Sequence, residues 1–525
     1  MALPLTLFLA LLLFSLVPAR THAVKNVTVP GITSIPSGAS QVLDKSLASF
    51  SIEFSYLTAF GGNDTHPNNL TRQLMERLEE RTGVGPDVRP GGITIDSSIF
   101  SPDSSTIELD MSSSGGIYRT TFGPALYQSL NVFPNTTNFV LSVNFGNNTI
   151  DIARNEFVAG IEYIGWDRIR SLELGNEADH YGGGSRPSGW SSAGYTTEFL
   201  NWTATLTQNL SLPEHIFQAG SFAEDPTNGY DFTTVNIIKE GIDTTSVVKL
   251  FNQHMYQYST CDPARNALAT LPTLVNHTNI TAYVDRFVPQ VLAARGQGKE
   301  FVVGEYSSVS CSGKENVTDT YGQALWLADT ILYSASVNIS RMYLHQGATL
   351  VLQSGTQANT PGFSWAHCIT QYDLWYPIDT DRYGAARASP SFVAYLLVTE
   401  AVGSSGATQI APVAVPEAPD LAVYGIWDAG ALKRFAVLNL AHRNVSTTDT
   451  DNVAVEVDLS AVIPANTTVK VKRMTAPGMD SKNSSAVTWA GQSYADGTAS
   501  GDEAIEELDG GRLLVGGSEG VLVFL

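Results

Sequence analysis

The chain has 525 residues, and 51 Asp and Glu against 30 Lys and Arg give a formal net charge of −21. A chain this acidic is not built to hold nucleic acid through its phosphates, and a hydrophobic fraction of 43% is too high for a disordered protein. Length alone suggests about three domains, although barrels and sandwiches run long, and a chain of this size buries a large core without disulfide help.

Residues 3–17 read LPLTLFLALLLFSLV, an apolar run shorter than the roughly twenty residues of a membrane span. Small residues follow in Thr21-His22-Ala23, so residues 1–23 read as a signal peptide cleaved after Ala23, with no membrane attachment afterwards. Fourteen Asn-X-Ser/Thr sites follow: Asn26, Asn63, Asn69, Asn135, Asn147, Asn201, Asn209, Asn276, Asn279, Asn316, Asn338, Asn444, Asn466 and Asn483. Behind a signal peptide, this many acceptors point to a secreted, extracellular glycoprotein.

Strand and helix patterns then alternate. Ser49–Phe54 reads as a strand, and Asn69–Arg81 as a helix with Leu70, Leu74 and Leu78 on one face. Val88–Ile93 and Asn138–Phe145 are strands, and Ile152–Ile164 is a helix. Arg168–Leu174, His215–Ser221 and Val247–Tyr256 are strands, separated by helices at Thr197–Leu210 and Thr234–Glu240. An amphipathic helix at Ala282–Ala294 leads to the strand Glu300–Tyr306, and a helix at Gln323–Ser336 leads to the strand Arg341–His345. Ser389-Pro390 opens a last helix through Val398, with Ser as N-cap and Pro in the first turn. Eight such units predict a (β/α)₈ barrel over residues 46–400 rather than a doubly wound sheet.

The pattern changes after residue 400. Ala401–Pro419 is rich in Gly, Ser and Pro. Then Leu421–Trp427, Lys433–Leu440, Val453–Leu459, Thr468–Met474, Ala486–Trp489 and Arg512–Leu525 alternate or are β-branched, with no helix between them. Residues 401–525 therefore read as a β-sandwich. Residues 24–45, which precede the first barrel strand, are placed to add a strand to it.

The barrel strands are apolar until their last residues, which turn polar at Glu53, Arg89, Asn144, Asn176-Glu177, His254, Glu305 and His345. In such barrels the C-terminal strand ends carry the chemistry. Glu177 ends strand four and Glu305 ends strand seven, so the two face each other across the mouth. A carboxylate closing an apolar strand is desolvated and needs partners or a shifted pKa. Retaining glycoside hydrolysis needs two carboxyl groups about 5–5.5 Å apart, one an ionised nucleophile and the other a proton donor that later acts as base. Mutual repulsion keeps the donor protonated while the nucleophile is charged.

No HExxH or CxxC spacing is present, so no metal and no redox cofactor is expected. Gly182–Gly184 lacks a following Gly-Lys-Ser/Thr and reads as a loop at the mouth. Cys261, Cys311 and Cys368 follow strands six, seven and eight; Cys261–Cys311 is the most natural of the three pairings and leaves one thiol over.

The segments Arg89-Pro90-Gly91-Gly92, Leu172–Glu177, His254-Met255-Tyr256 and Gly304-Glu305-Tyr306-Ser307-Ser308 together resemble glycoside hydrolase family 79, which holds β-glucuronidases and heparanases. The resemblance spans essentially the whole chain beyond the leader. It implies that Glu177 is the acid/base, Glu305 the nucleophile and Asn176 the partner of the sugar 2-hydroxyl. It implies that Arg89 keeps the nucleophile ionised. Either Tyr256 or His254 hydrogen-bonds Glu305. Tyr306, with the backbone amides after it, and Tyr343 are expected to receive the uronic carboxylate.

A glucuronide is anionic, so long-range attraction to a chain of net charge −21 cannot bring it in, and recognition must be local. Residues 177–190 offer one Arg and one His, and 306–318 only Lys314, too little for a heavily sulfated polymer. The expected partner is a glucuronide-bearing oligosaccharide, glycan or small glycoside, cleaved at a terminal β-linked glucuronic acid or its 4-O-methyl ether. The rival readings are a retaining barrel glycosidase for neutral β-glycosides and a non-catalytic secreted carbohydrate-binding protein.

Overall fold

The computed structural model describes residues 25–111, 117–347, 370–380, 384–448 and 453–525. The leader and Cys368 lie outside them. Eight parallel strands close into a barrel in chain order. They are β1 (Ala48–Glu53), β2 (Val88–Gly91), β3 (Phe139–Val143), β4 (Ile169–Leu174), β5 (Phe217–Phe222), β6 (Val248–Ser259), β7 (Glu300–Ser310) and β8 (Met342–Gln346). The helices that follow them are α1 (Asn69–Thr82), α2 (Pro124–Gln128), α3 (Ile150–Ile164), α4 (Ser192–Leu210), α5 (Thr234–Lys239), α6 (Val288–Gly296), α7 (Tyr321–Ser336) and α8 (Phe392–Val402).

Local chemistry accounts for the boundaries. In α1 the Asn68 side chain accepts from Thr71 N, Leu74, Met75 and Leu78 face the core, and Gly83 ends the helix at φ 76°. The expected single helix at Ala282–Ala294 is instead His277–Val284, a 3₁₀ turn and α6. Pro289 explains the break, because it has no N–H to continue the ladder and fits only in a first turn. Likewise α8 starts at Phe392, two residues beyond Pro390, and Ser389 Oγ accepts from Ser391 N (3.3 Å) in the turn ahead of it. The link between β2 and α2 holds a three-stranded sheet (Ser98–Phe100, Glu108–Met111, Ile117–Phe122) that hydrophobic patterning did not reveal.

The C-terminal region is two sheets. The larger runs in the order Thr408–Pro412, Leu421–Asp428, Ala431–Asn439, Glu519–Phe524, Thr468–Thr475, Thr488–Trp489, with Glu506–Asp509 also paired to Thr468–Thr475. Its first strand falls within the Gly/Ser/Pro-rich passage Ala401–Pro419. The smaller sheet joins Lys25–Thr28, Val455–Asp458 and Arg512–Val515, so the N-terminal segment does add a strand here. The expected strand Arg512–Leu525 is cut at Gly516-Gly517-Ser518, and its halves join different sheets. The larger sheet is buried on both faces. Leu421, Val423, Phe435 and Val437 pack toward the smaller sheet, while the alternating Ala422, Tyr424, Ala436 and Leu438 belong to the core shared with α7 and α8. Burial on both faces is why these strands read as near-continuous apolar runs. Tyr321 OH donates to Met474 O (2.7 Å) and Tyr424 OH to Asp329 Oδ1 (2.6 Å), fixing barrel and sheet together.

Three buried carboxyls around the mouth sit above the ordinary carboxylate range. Burial pushes Asp96 to about 6, Glu156 to about 8 and Asp373 to about 7, against the hydrogen bonds each accepts. A raised folded-state pKa stabilises the fold below the unfolded value and loses that contribution as pH rises through the folded value. All three act in one direction between pH 5 and pH 8. The melting temperature is therefore expected to be several degrees lower at pH 8 than at pH 5, measured by calorimetry in one buffer series; a higher value at pH 8 would contradict these assignments.

Candidate active site

The β-barrel places Glu177 and Glu305 together at its C-terminal end. A carboxylate oxygen of each and a ring nitrogen of His254 lie within 4.8 Å of one another. Beyond β4 the chain turns sharply, with Gly175 at φ 72° and Glu177 itself left-handed at φ 50°. Only glycine fits at 175, where a Cβ would press on Tyr181 OH and Phe145. Asp96 pins this turn by accepting from Tyr181 OH (2.7 Å) and Asn176 N (3.2 Å).

Glu305 reaches the lumen through a β-bulge. Gln253 pairs with Val303 but His254 with Glu305, so Gly304 is the extra residue. Asn252 secures it: its Oδ1 accepts from Gly304 N (2.6 Å), and a Cβ at 304 would collide with the same amide. The bulge turns Glu305 inward and Tyr306 outward.

Arg89, fully buried, ties the site together. Its Nε donates to Glu173 Oε1 (2.7 Å), Nη1 to Glu305 Oε2 (2.8 Å) and Nη2 to Asn176 Oδ1 (2.9 Å). Tyr256 OH donates to Glu305 Oε1 (2.7 Å), and burial beside that carboxylate keeps the phenol protonated. Burial would raise the Glu305 pKa, but His345, His254 and Arg89, with the Tyr256 bond, lower it to about 2, so this carboxylate is ionised at any working pH.

His254 serves the other carboxyl, with Nδ1 3.0 Å from Glu177 Oε1. Among the described residues its buried Nε2 has no hydrogen-bond partner. His254 Nδ1 is placed to donate to Oε1. That leaves Oε2 of Glu177 toward the cavity. His180 stands 3.7 Å from this oxygen, raised to about 9 by its bond to Glu224 and by the nearby Glu177 and Asp179.

Sequence reasoning missed several members. Glu173 is a buried counter-charge for Arg89, held also by Ser142, Ser221, Gln218 and Asn252. Arg89, the Ser221 bond and nearby His254 outweigh burial and keep it below the usual range. His345 lies between Glu53 Oε2 (3.3 Å) and Glu305 Oε2 (3.5 Å), and these carboxylates outweigh burial and raise its pKa. Glu53 and His345 were among the polar strand ends named above, without a role assigned to either. Nothing marked Tyr372, a buried residue whose ring lies 6.2 Å from that of His345.

Two expected site residues lie elsewhere. Tyr306 packs outward, its hydroxyl 3.2 Å from that of Tyr395 and its ring near Trp326. Tyr343 is deep in the barrel with Val140, Leu250 and Val302, its hydroxyl directed to Asp87 (3.4 Å). Neither faces the cavity, which measures about 330 Å³ and is walled by Glu53, Asn176, Glu177, Tyr256 and Glu305 with Arg265 at its rim. Cys261 and Cys311 are joined by a disulfide at the same rim, linking the loops after β6 and β7.

Glu177, His254 and Glu305 could in principle ligate a cation. The Arg89 guanidinium already occupies one Glu305 oxygen and would repel a divalent ion, so the trio fits proton transfer better than metal binding.

Residues 423–522 match the family model described as the glycosyl hydrolase family 79 C-terminal beta domain. The chain is 28% identical over 523 residues to a β-glucuronidase of Aspergillus niger, covering 93% of this chain and 90% of the relative. It is 27% identical over 557 residues to a β-glucuronidase of Neurospora crassa, covering 96% and 91%. Among solved structures, a 4-O-α-L-rhamnosyl-β-D-glucuronidase from Fusarium oxysporum 12S, crystallised with Rha-GlcA, shares the fold with a TM-score of 0.77 at 21% identity, over 95% of this chain and 100% of the other. Residues 423–522 thus carry the likeness to the family 79 C-terminal domain, the chain as a whole is similar to β-glucuronidases, and with its closed barrel and C-terminal sheets it is a glycosidase.

Proposed function

We propose that this chain is a secreted, glycosylated retaining β-glucuronidase that removes terminal β-linked glucuronic acid. The observation that carries the mechanism is the pair of carboxylates within 4.8 Å, of which Glu305 is held ionised. That spacing suits direct attack and leaves little room for a water between the two, as inversion would need. The β-glucuronidases among its relatives support the choice of sugar.

In the first step Glu305 attacks the anomeric carbon, the bond to the leaving oxygen breaks, and Glu177 gives that oxygen its proton. In the second, Glu177 takes a proton from water, whose oxygen attacks the same carbon and frees Glu305. Asn176, fixed by Arg89, is placed to bond the sugar 2-hydroxyl. For the uronic carboxylate, Arg265 is a cation among the residues lining the cavity. Export is supported by the apolar leader and by the sequons. Eleven of the fourteen acceptor Asn are exposed; Asn276, Asn279 and Asn338 are half-buried.

Nitrophenyl β-glucuronide is expected to be cleaved at least about 10²-fold faster than the β-glucoside, since a polar donor left unpaired in a buried site penalises the substrate lacking its partner. Proton NMR of the first-formed product should show the β-anomer. Arg265→Ala should narrow the glucuronide preference. A glucoside preference would overturn the sugar assignment, and an α-anomer product would overturn retention.

A further inference from the structure

The two carboxyls of the site are held in opposite ways. Glu305 is fixed through its side chain, with Arg89 Nη1 at 2.8 Å from one oxygen and Tyr256 OH at 2.7 Å from the other. Among the described residues the Glu177 carboxyl has a single hydrogen-bond partner, His254 (3.0 Å). The reaction gives a reason for the difference. A nucleophile keeps its charge until it attacks, whereas a group that gives a proton and then takes one back must be tolerated in both forms. Strong charged partners on its side chain would favour one form over the other. Its position therefore has to come from the backbone.

That backbone is strained. Glu177 has φ 50°, a left-handed conformation that a residue with a Cβ keeps only where its surroundings enforce it. Each residue of the turn is tied separately. Asn176 N donates to Asp96 Oδ2 (3.2 Å), Glu177 N to Ser221 O (2.9 Å), and Trp190 Nε1 to Ala178 O (2.8 Å). The most extensive tie is at Asp179. Its carboxylate accepts from Ala223 N on both oxygens (3.0 Å each), from Glu224 N (3.1 Å) and from Tyr230 OH (2.7 Å). Ala223 and Glu224 directly follow β5, so one side chain binds the turn after β4 to the end of the neighbouring strand. Burial pushes this carboxyl up, and the nearby Glu177 adds to the rise. A charge is expensive to keep in such a place unless the bonds it accepts are needed. Asp179 does not line the cavity and touches no reacting atom.

We propose that Asp179 is the positioning residue of the proton donor: from the loop after β5 it holds the left-handed turn that aims Glu177 at the leaving oxygen, and it leaves the Glu177 carboxyl free to change charge. The proposal rests on the two-step reading given above.

The test measures kcat/KM for phenyl and dinitrophenyl β-glucuronide on the parent and on Glu177→Gln, Asp179→Asn and Tyr230→Phe proteins. Dinitrophenolate leaves without a proton and phenolate needs one, so the ratio of the two rates reports proton donation, and a loss of folded protein cancels in it. Asn keeps the shape of Asp179, but in either orientation its NH2 meets a backbone N–H. For Asp179→Asn the phenyl-to-dinitrophenyl ratio is expected to fall by about 10²-fold, the effect of a displacement of about 1 Å at a reacting group. Tyr230→Phe, which removes one of the three donors to Asp179, should move the ratio the same way by less, and it carries the test if Asp179→Asn does not fold. A ratio that falls in Glu177→Gln but keeps the parent's value in the other two variants would overturn the proposal and leave the mechanism standing. A ratio that Glu177→Gln does not move would overturn both. If the parent prefers glucosides, the same ratio is taken on phenyl and dinitrophenyl glucosides, so failure of the sugar assignment leaves this test intact.

Discussion

Glu305→Gln is expected to lower kcat by about 10⁵-fold, the scale on which removing an enzyme's nucleophile acts. Gln has nearly the same shape; its amide oxygen can accept from Arg89 while its NH2 donates to the Tyr256 hydroxyl oxygen, so the bulge at Gly304 and the fold should survive. What is lost is the negative charge that attacks the anomeric carbon. The loss should be the same for a poor and a good leaving group, because no glycosyl ester can form with either. Glu177→Gln should behave differently. It removes only proton transfer, a contribution of roughly 10² to 10⁴. The deficit should shrink when the leaving group is an acidic phenol, and added azide should restore turnover by intercepting the glycosyl ester. Steady-state rates on phenyl and dinitrophenyl glucuronides decide the matter. More than about 1% residual activity in Glu305→Gln would remove Glu305 from the nucleophile's role. The pH dependence carries a further consequence. Because Glu305 is depressed to about 2, its stabilising charge is present above the unfolded carboxylate pKa and is lost only as pH falls toward that value. A rate decline already visible at pH 4 must then come from another group.

Arg89→Met is expected to cost about 3–5 kcal/mol of stability, because it leaves Glu173 and Glu305 buried without their cation. The Glu305 pKa should climb as one of its lowering charges disappears, moving any acid limb of activity upward. Arg89→Lys separates folding from function. An ammonium keeps the charge but cannot span Glu173, Glu305 and Asn176 as the planar fork does. It should fold more stably than Arg89→Met, yet with kcat/KM reduced by about 10²-fold, since a displacement of about 1 Å at the reacting groups has that effect. Thermal unfolding and a pH–rate profile on both variants test this. A Met variant as stable as the parent would mean that the Arg89 network is energetically idle.

Much of this was legible in the chain. Helical periodicity in Asn69–Thr82 and apolar runs such as Phe139–Val143 survive in the structure because those faces have a single place to be buried. Strand ends carrying Glu177, Glu305 and Arg89 stood out because an ionisable group closing an apolar strand needs a reason to be there. Boundaries near Pro289 and Pro390 slipped because proline dictates a first turn or an edge, which patterning alone does not weigh.

The sequence by itself determined the eight repeated units, the change to strands after residue 400, and which two carboxyls strands four and seven bring to the barrel mouth. Periodicity is local, and each residue carries it. Tertiary structure alone decided that Tyr256 serves Glu305 while His254 serves Glu177. It also decided that Glu305 faces the lumen and Tyr306 the helices. That choice depends on one extra residue, Gly304, opposite the Asn252 amide of the neighbouring strand. A strand's side chains alternate with a period of two, so a single bulge reverses every orientation beyond it. The bulge exists only in the pairing of two strands, and an amino-acid pattern read along one strand cannot reveal it.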